Sequence, residues 1–238
     1  MSAIITTSWD DGDALDTRVA QMLDGYGVRG TFYIARDYRS PRVSDEAIRA
    51  IGKRHEIAAH TLTHPVLTAL PREEKRKEIE GGKKWLEEMI GKPVEMFCYP
   101  GGRYDEETIT VVREAGFIGA RTTKPPIAAE PFDPFRLGVS MTLFPYPFVF
   151  KEKVGVVAYR ATGREPWQLH KALEQRALRL FEEARAGNGI FHIYGHSWAN
   201  TTYGLWPVLE RILEQIGGRQ DCEYLTNGEL LRRLTGVV

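Results

Sequence analysis

Ile4-Ile5-Thr6-Thr7-Ser8-Trp9-Asp10-Asp11-Gly12 opens the chain with β-branched and aromatic residues and ends on two carboxylates and a glycine. Such a run reads as a strand, and the polar pair marks where it gives way to a loop. The same rhythm continues. Gly30–Ala35, Glu56–Ala59, Val94–Tyr99, Phe117–Arg121, Arg136–Val139 and Ile190–Tyr194 are short and apolar, and read as strands. Asp13–Gly27, Ser44–Lys53, Arg72–Ile90, Glu106–Ala115, Trp167–Ala186 and Gly204–Ile216 are longer and amphipathic, and read as helices. Several end at a glycine, among them Gly91, Gly116 and Gly187. A last short helix opens at Thr226, with Glu229 three residues on as the other half of a capping box. This alternation predicts parallel strands covered by helices, as a barrel or a doubly wound sheet. No glycine-rich phosphate loop follows the first strand, which disfavours a nucleotide-binding sheet.

A chain of 238 residues can bury a substantial core, and one α/β domain over residues 1–238 is the expectation. Hydrophobic residues make up 42% and charged residues 27%, as in an ordinary globular enzyme. Lys+Arg and Asp+Glu both number 32, so nothing in the balance calls for nucleic acid or a membrane surface as partner. Cys98 and Cys222 are far apart and form no CxxC pair, which suggests reduced thiols. No basic and apolar leader precedes the first strand, and no apolar run approaches the roughly 20 residues that cross a bilayer. A cytoplasmic protein is the expectation.

In parallel α/β folds, chemistry gathers where strands end. Four polar clusters fall at such places: Asp10-Asp11-Gly12, His60-Thr61-Leu62-Thr63-His64, Tyr99-Pro100-Gly101-Gly102-Arg103, and His196-Ser197-Trp198 after Ile190–Tyr194. His60 and His64, four apart, would share one face of a helical turn and point at one ion. Two imidazoles and a carboxylate suit zinc or another divalent first-row metal and leave positions open for water and substrate. The competing reading makes the histidines surface residues and the aspartates a helix start. His55 and His170 lack a partner at ligand spacing and read as surface residues. Phe144, Tyr146, Phe148, Trp198 and Tyr203 read as loop anchors on the barrel rim, or else as a platform for sugar rings.

These clusters resemble the motifs of the polysaccharide deacetylase, or NodB-homology, family. Ser8-Trp9-Asp10-Asp11-Gly12 resembles its first motif, T-F-D-D-G, and His60-Thr61-Leu62-Thr63-His64 matches its second, H-S/T-x-x-H. Phe97-Cys98-Tyr99-Pro100-Gly101-Gly102 is similar to a variant of the third, R-x-P-x-G, with Cys98 where the family has an Arg that tethers the base. Arg103, Arg121 and Arg136 are candidates to replace it. The resemblance implies a distorted (β/α) barrel of about seven parallel strands with surrounding helices. It implies a divalent metal, zinc foremost, held by Asp11, His60 and His64, with Asp10 as general base and the Gly101 N–H at the oxyanion. The catalytic acid would be His196, nearer the strand end, or else His192.

The activity so implied is metal-dependent removal of an N-acetyl group from an amino sugar, as a small molecule or within an oligosaccharide. Hydrolysis of another C–N bond, in a cyclic amide or ureide, is the alternative within the enzymes. A catalytically inactive carbohydrate-binding member is the alternative outside them.

Overall fold

The computed structural model describes residues 2–125, 127–128, 131–145 and 166–236. Eight strands among them are β1 (Ala3–Asp11), β2 (Gly30–Ile34), β3 (Glu56–Ala59), β4 (Met96–Cys98), β5 (Gly119–Arg121), β6 (Met141–Thr142), β7 (Ile190–Gly195) and β8 (Cys222–Tyr224). Helices α1 (Asp16–Gly25), α2 (Asp45–Ile51), α3 (Arg72–Ile90), α4 (Glu106–Glu114), α5 (Pro166–Ala186), α6 (Ser197–Thr202), α7 (Trp206–Ile216) and α8 (Asn227–Thr235) accompany them. Every ladder is parallel, in the order β5-β4-β3-β2-β1-β7-β6, and β8 pairs with the first residues of β1. Among the described residues no helix is long and apolar enough to cross a membrane.

The expected strand over Arg136–Val139 is displaced. Pro134–Arg136 forms a 3-10 turn, and only Leu137 pairs with β5, giving its N–H to Ala120 and accepting from Thr122. The chain then changes partner, and Ser140 N–H and Leu143 N–H donate to His192 and Tyr194 of β7. One segment thus bridges both edges of the sheet and curls it into a distorted barrel. The ladder of this segment falls at Met141–Thr142, paired with Ile193–Tyr194 of β7. The first helix starts at Asp16 rather than Asp13, because Asp13 Oδ1 accepts Leu15 N–H in a preceding turn. The capping box of α8 forms as expected, with Thr226 and Glu229 satisfying each other's backbone N–H.

Alternation along the strands separates two cores. Ile5, Trp9, Phe32, Ile34 and Phe97 pack outward against the helices. Tyr33, Met96, Cys98 and Leu137 point inward, where Leu230 and Leu231 of α8 meet them. The inward positions of β1 are polar, and each has a partner across the interior. Asn227 Nδ2 donates to Thr6 Oγ1 at 2.9 Å, Ser8 Oγ bonds His192 Nε2 at 2.9 Å, and Asp10 pairs with Arg121. Burying a polar group without such a partner is costly, so most are satisfied in this way.

The His60–His64 segment is not a helical turn. Thr61 and His64 have φ of 71° and 57°, and Pro65 disfavours a right-handed helical His64. A carboxylate builds the turn instead: Glu78 of α3 accepts from Leu62 N–H at 3.0 Å, Thr63 N–H at 2.9 Å and Thr63 Oγ1 at 2.8 Å. Two glycines let α3 approach closely. A methyl group at Gly82 would lie 2.8 Å from the carbonyl carbon of Thr61, whereas one at Gly81 would meet the Leu62 side chain. Gly82→Ala is therefore expected to cost ~1–2 kcal/mol even after the better helix propensity of alanine is counted. Gly81→Ala, which only displaces a side-chain end, is expected to be near neutral. Denaturant unfolding of both variants tests this, and equal effects would contradict it.

Candidate active site

Asp10 and Asp11 are the last two residues of β1, so the pleat sends them to opposite sides. Asp11 meets the histidines: its Oδ1 lies 3.7 Å from His60 Nε2 and 3.6 Å from His64 Nε2. Ligand atoms about 2 Å from a tetrahedral zinc stand roughly 3.3–3.5 Å apart, so the three atoms fit one divalent ion. The hydrogen bonds behind them also suit ligation. His60 Nδ1 bonds the Cys98 carbonyl at 2.8 Å, and a carbonyl only accepts, so the proton sits on Nδ1 and the Nε2 lone pair faces Asp11. Burial, with His64 adding to it, holds His60 down at about 4, and burial lowers His64 as well, so both rings are neutral donors at pH 7. Asp11 Oδ2 accepts Trp198 Nε1–H at 2.7 Å, and His64 stacks on Tyr38 with ring centroids 4.0 Å apart.

Asp10 enters the barrel and pairs with Arg121, both fully enclosed. Burial alone would raise its pKa; Arg121, then His60 and His196, outweigh it and hold the carboxyl below its ordinary range. The Arg121 guanidinium lies between the rings of Tyr33 and Tyr194, 5.0 and 4.7 Å from their centroids. Cys98 Sγ is 3.8 Å from Asp10 Oδ2. Asp10, His60 and Cys98 form a second close group, but burial pushes the Cys98 thiol well above its usual range. A cation there would also meet Arg121, so the Asp11, His60 and His64 set is the better metal site.

The two late histidines part company. His192 is wholly buried, with Nδ1 donating to the Gly138 carbonyl at 3.0 Å and Nε2 accepting from Ser8 at 2.9 Å, so neither nitrogen is free for chemistry. Burial first, and Arg121 second, lower it to about 3. His196 follows β7 at the N-cap of α6, near Trp198 and Phe144. Gly101 stands in a 3-10 turn after β4 with φ of 60° and open space along its Cβ direction, and it is exposed. Its neighbour Gly102 has none, since a methyl there would lie 2.3 Å from Thr123 Oγ1.

The polysaccharide deacetylase family profile matches residues 2–120, half of the chain. The chain belongs to the polysaccharide deacetylase family. It is 28% identical over 118 residues to a peptidoglycan-N-acetylglucosamine deacetylase of Bacillus cereus, an alignment covering 48% of this chain and 54% of that protein. The chain spans about half the length of the curated relatives it matches. A polysaccharide deacetylase homologue from Mycobacterium smegmatis shares the fold, with a TM-score of 0.69 at 16% identity over 99% of this chain and 92% of that one. A CE4 family pseudoenzyme from Bacillus anthracis shares it too, with a TM-score of 0.60 at 16% identity over 97% of this chain and 66% of that one.

Against the deacetylase motifs, the arginine missing at Cys98 is supplied one strand away. Cys98 and Arg121 are partners in the β4–β5 register, so the guanidinium reaches Asp10 from the same level of the barrel. Arg136 instead pairs with Glu106 and Asp133 at the surface, and Arg103 is exposed. His55 is buried rather than at the surface, with Nδ1 accepting from Gly30 N–H, and half-buried His170 donates to the Tyr203 carbonyl. Trp198, Phe144 and Tyr203 gather beside His196, while Tyr146 and Phe148 lie outside the described residues. The hydrogen bond from Trp198 to Asp11, the Tyr38 stack and the Glu78 anchor had no sequence spacing to announce them.

The neutral His192 carries a pH signature. Below about pH 6.5 the unfolded chain binds a proton that the folded His192 refuses until about pH 3, so its contribution to stability is lost as pH falls. His192→Gln removes that linkage. The stability advantage of the unsubstituted protein over the variant is expected to shrink by up to ~1.4 kcal/mol per pH unit below pH 6. Denaturant titrations from pH 7 to 4 read the difference, and a constant gap would contradict a buried neutral ring.

Proposed function

We propose that this protein is a metal-dependent carbohydrate N-deacetylase that removes acetyl from an amino sugar, free or within an oligosaccharide. The observation that carries the reading is an ionised carboxylate, Asp10, beside a separate set of two neutral imidazoles and a carboxylate. A pure binding protein has no use for both.

Asp11 Oδ1, His60 Nε2 and His64 Nε2 would hold the ion, and zinc suits two nitrogens and one oxygen. When bound, the ion supplies Lewis acidity that acidifies water and polarises an amide carbonyl. Asp10 accepts the proton of the attacking water, and Arg121 keeps it ionised and aimed. The Gly101 N–H faces the oxyanion as the carbonyl carbon becomes tetrahedral. His196 gives a proton to the departing sugar nitrogen, a role that His192 cannot share while both its nitrogens are bonded. Hydrolysis then yields acetate and a free amine.

Acetate release from N-acetylglucosamine oligomers, measured with the protein loaded with one zinc per chain, tests this. Asp10→Asn is expected to lower kcat by at least ~100-fold while zinc still binds. Stoichiometric zinc with no acetate released from any N-acetyl sugar would contradict it and favour an inactive, carbohydrate-binding member.

A further inference from the structure

Behind His196 lies a second polar cluster that the reaction steps above leave unused. The six-residue α6 packs on the start of α1, and Ser197 Oγ donates to Asp16 Oδ1 at 2.5 Å. Both residues are fully buried, as is Asn200. Four more side-chain atoms in these two elements are enclosed without any hydrogen-bond partner: Asp16 Oδ2, His196 Nδ1, and both Oδ1 and Nδ2 of Asn200. Ser197 and Asn200, three residues apart, share the face of α6 that the Ser197 bond turns toward Asp16, and His196 is the extended N-cap whose carbonyl accepts Asn200 N–H at 3.4 Å. Burial pushes the Asp16 carboxyl well above its ordinary range, with Asp13, Asp11 and Asp10 adding to it against the Ser197 bond.

Leaving four such atoms unpaired within one turn of α6 and the facing start of α1 is costly, and folded proteins meet sets of this kind with internal water that makes about three hydrogen bonds. We propose an internal water site between Asp16, Asn200 and His196 Nδ1, which makes Asp16 and Asn200 positioning residues that hold the His196 ring in one tautomer and orientation. With Nδ1 held from behind, Nε2 is the nitrogen that faces the reacting groups. The same α6 start carries Trp198, which bonds Asp11, so the layer also ties the acid to the metal ligand. The consequence for proton donation rests on the deacetylase reading; the water site itself does not.

Three readings of the zinc-loaded protein test it. A high-resolution crystal structure should show a water within about 2.7–3.2 Å of His196 Nδ1 and of Asn200 or Asp16. Ring 15N shifts of His196 should report a single tautomer, which becomes a mixture in Asn200→Leu. The kcat for acetate release should fall ~10- to 100-fold in that variant, with KM within about twofold, and should recover in Asn200→Asp. Where Asn200→Leu fails to fold, Asp16→Asn, which keeps an acceptor for Ser197, carries the same comparison. A dry site together with an unchanged tautomer in the variant overturns the proposal. If no N-acetyl sugar is turned over, the water and tautomer readings still decide it, and only the deacetylase reading falls.

Discussion

The ion pair between Asp10 and Arg121 is the interaction on which the rest of this barrel depends. Two opposite charges sit almost wholly enclosed by protein, flanked by Tyr33 and Tyr194. Removing either partner would strand a buried charge, which typically costs about 3–5 kcal/mol. A well-packed apolar pair would stabilise such a core at least as well, so stability alone does not explain a charge there. In the proposed reaction its value is chemical: a carboxylate kept ionised, one residue from Asp11, which faces the other way.

That pair is the top layer of a polar column. Thr6 with Asn227, Ser8 with His192, and Asp10 with Arg121 step up the inward face of β1. The lower two layers have their donors and acceptors matched within the barrel and fix the heights of α8 and β7. The uppermost faces the site. Outside the barrel, Glu78 and Gly82 of α3 do comparable work for the histidine turn, the first by three hydrogen bonds and the second by its missing side chain. The candidate site is thus held from three directions by groups that lie outside it.

The carboxylate pair, the histidine pair and the strand–helix rhythm were legible in the chain because each depends on local spacing. Arg121 was one of three candidates, and only the β4–β5 register decides among them. The histidine turn was misread as helical, since a four-residue spacing is shared by helices and by left-handed turns. The short strands at Met141–Thr142 and Cys222–Tyr224 escaped because two or three residues show no period. Between His192 and His196 the sequence offered only position, which favoured His196 nearer the strand end; the bonds that occupy His192 come from Ser8 and Gly138, more than fifty residues away.

In the proposed site the metal belongs to Asp11, His60 and His64, and Asp10 is left to Arg121. X-ray absorption of the protein loaded with one zinc per chain tests it most directly, because Cys98 stands at the competing site. The expected spectrum has only nitrogen and oxygen neighbours at about 2.0–2.2 Å, with scattering from two imidazoles. A sulfur neighbour at about 2.3 Å would place the ion at Asp10, His60 and Cys98 and contradict the assignment.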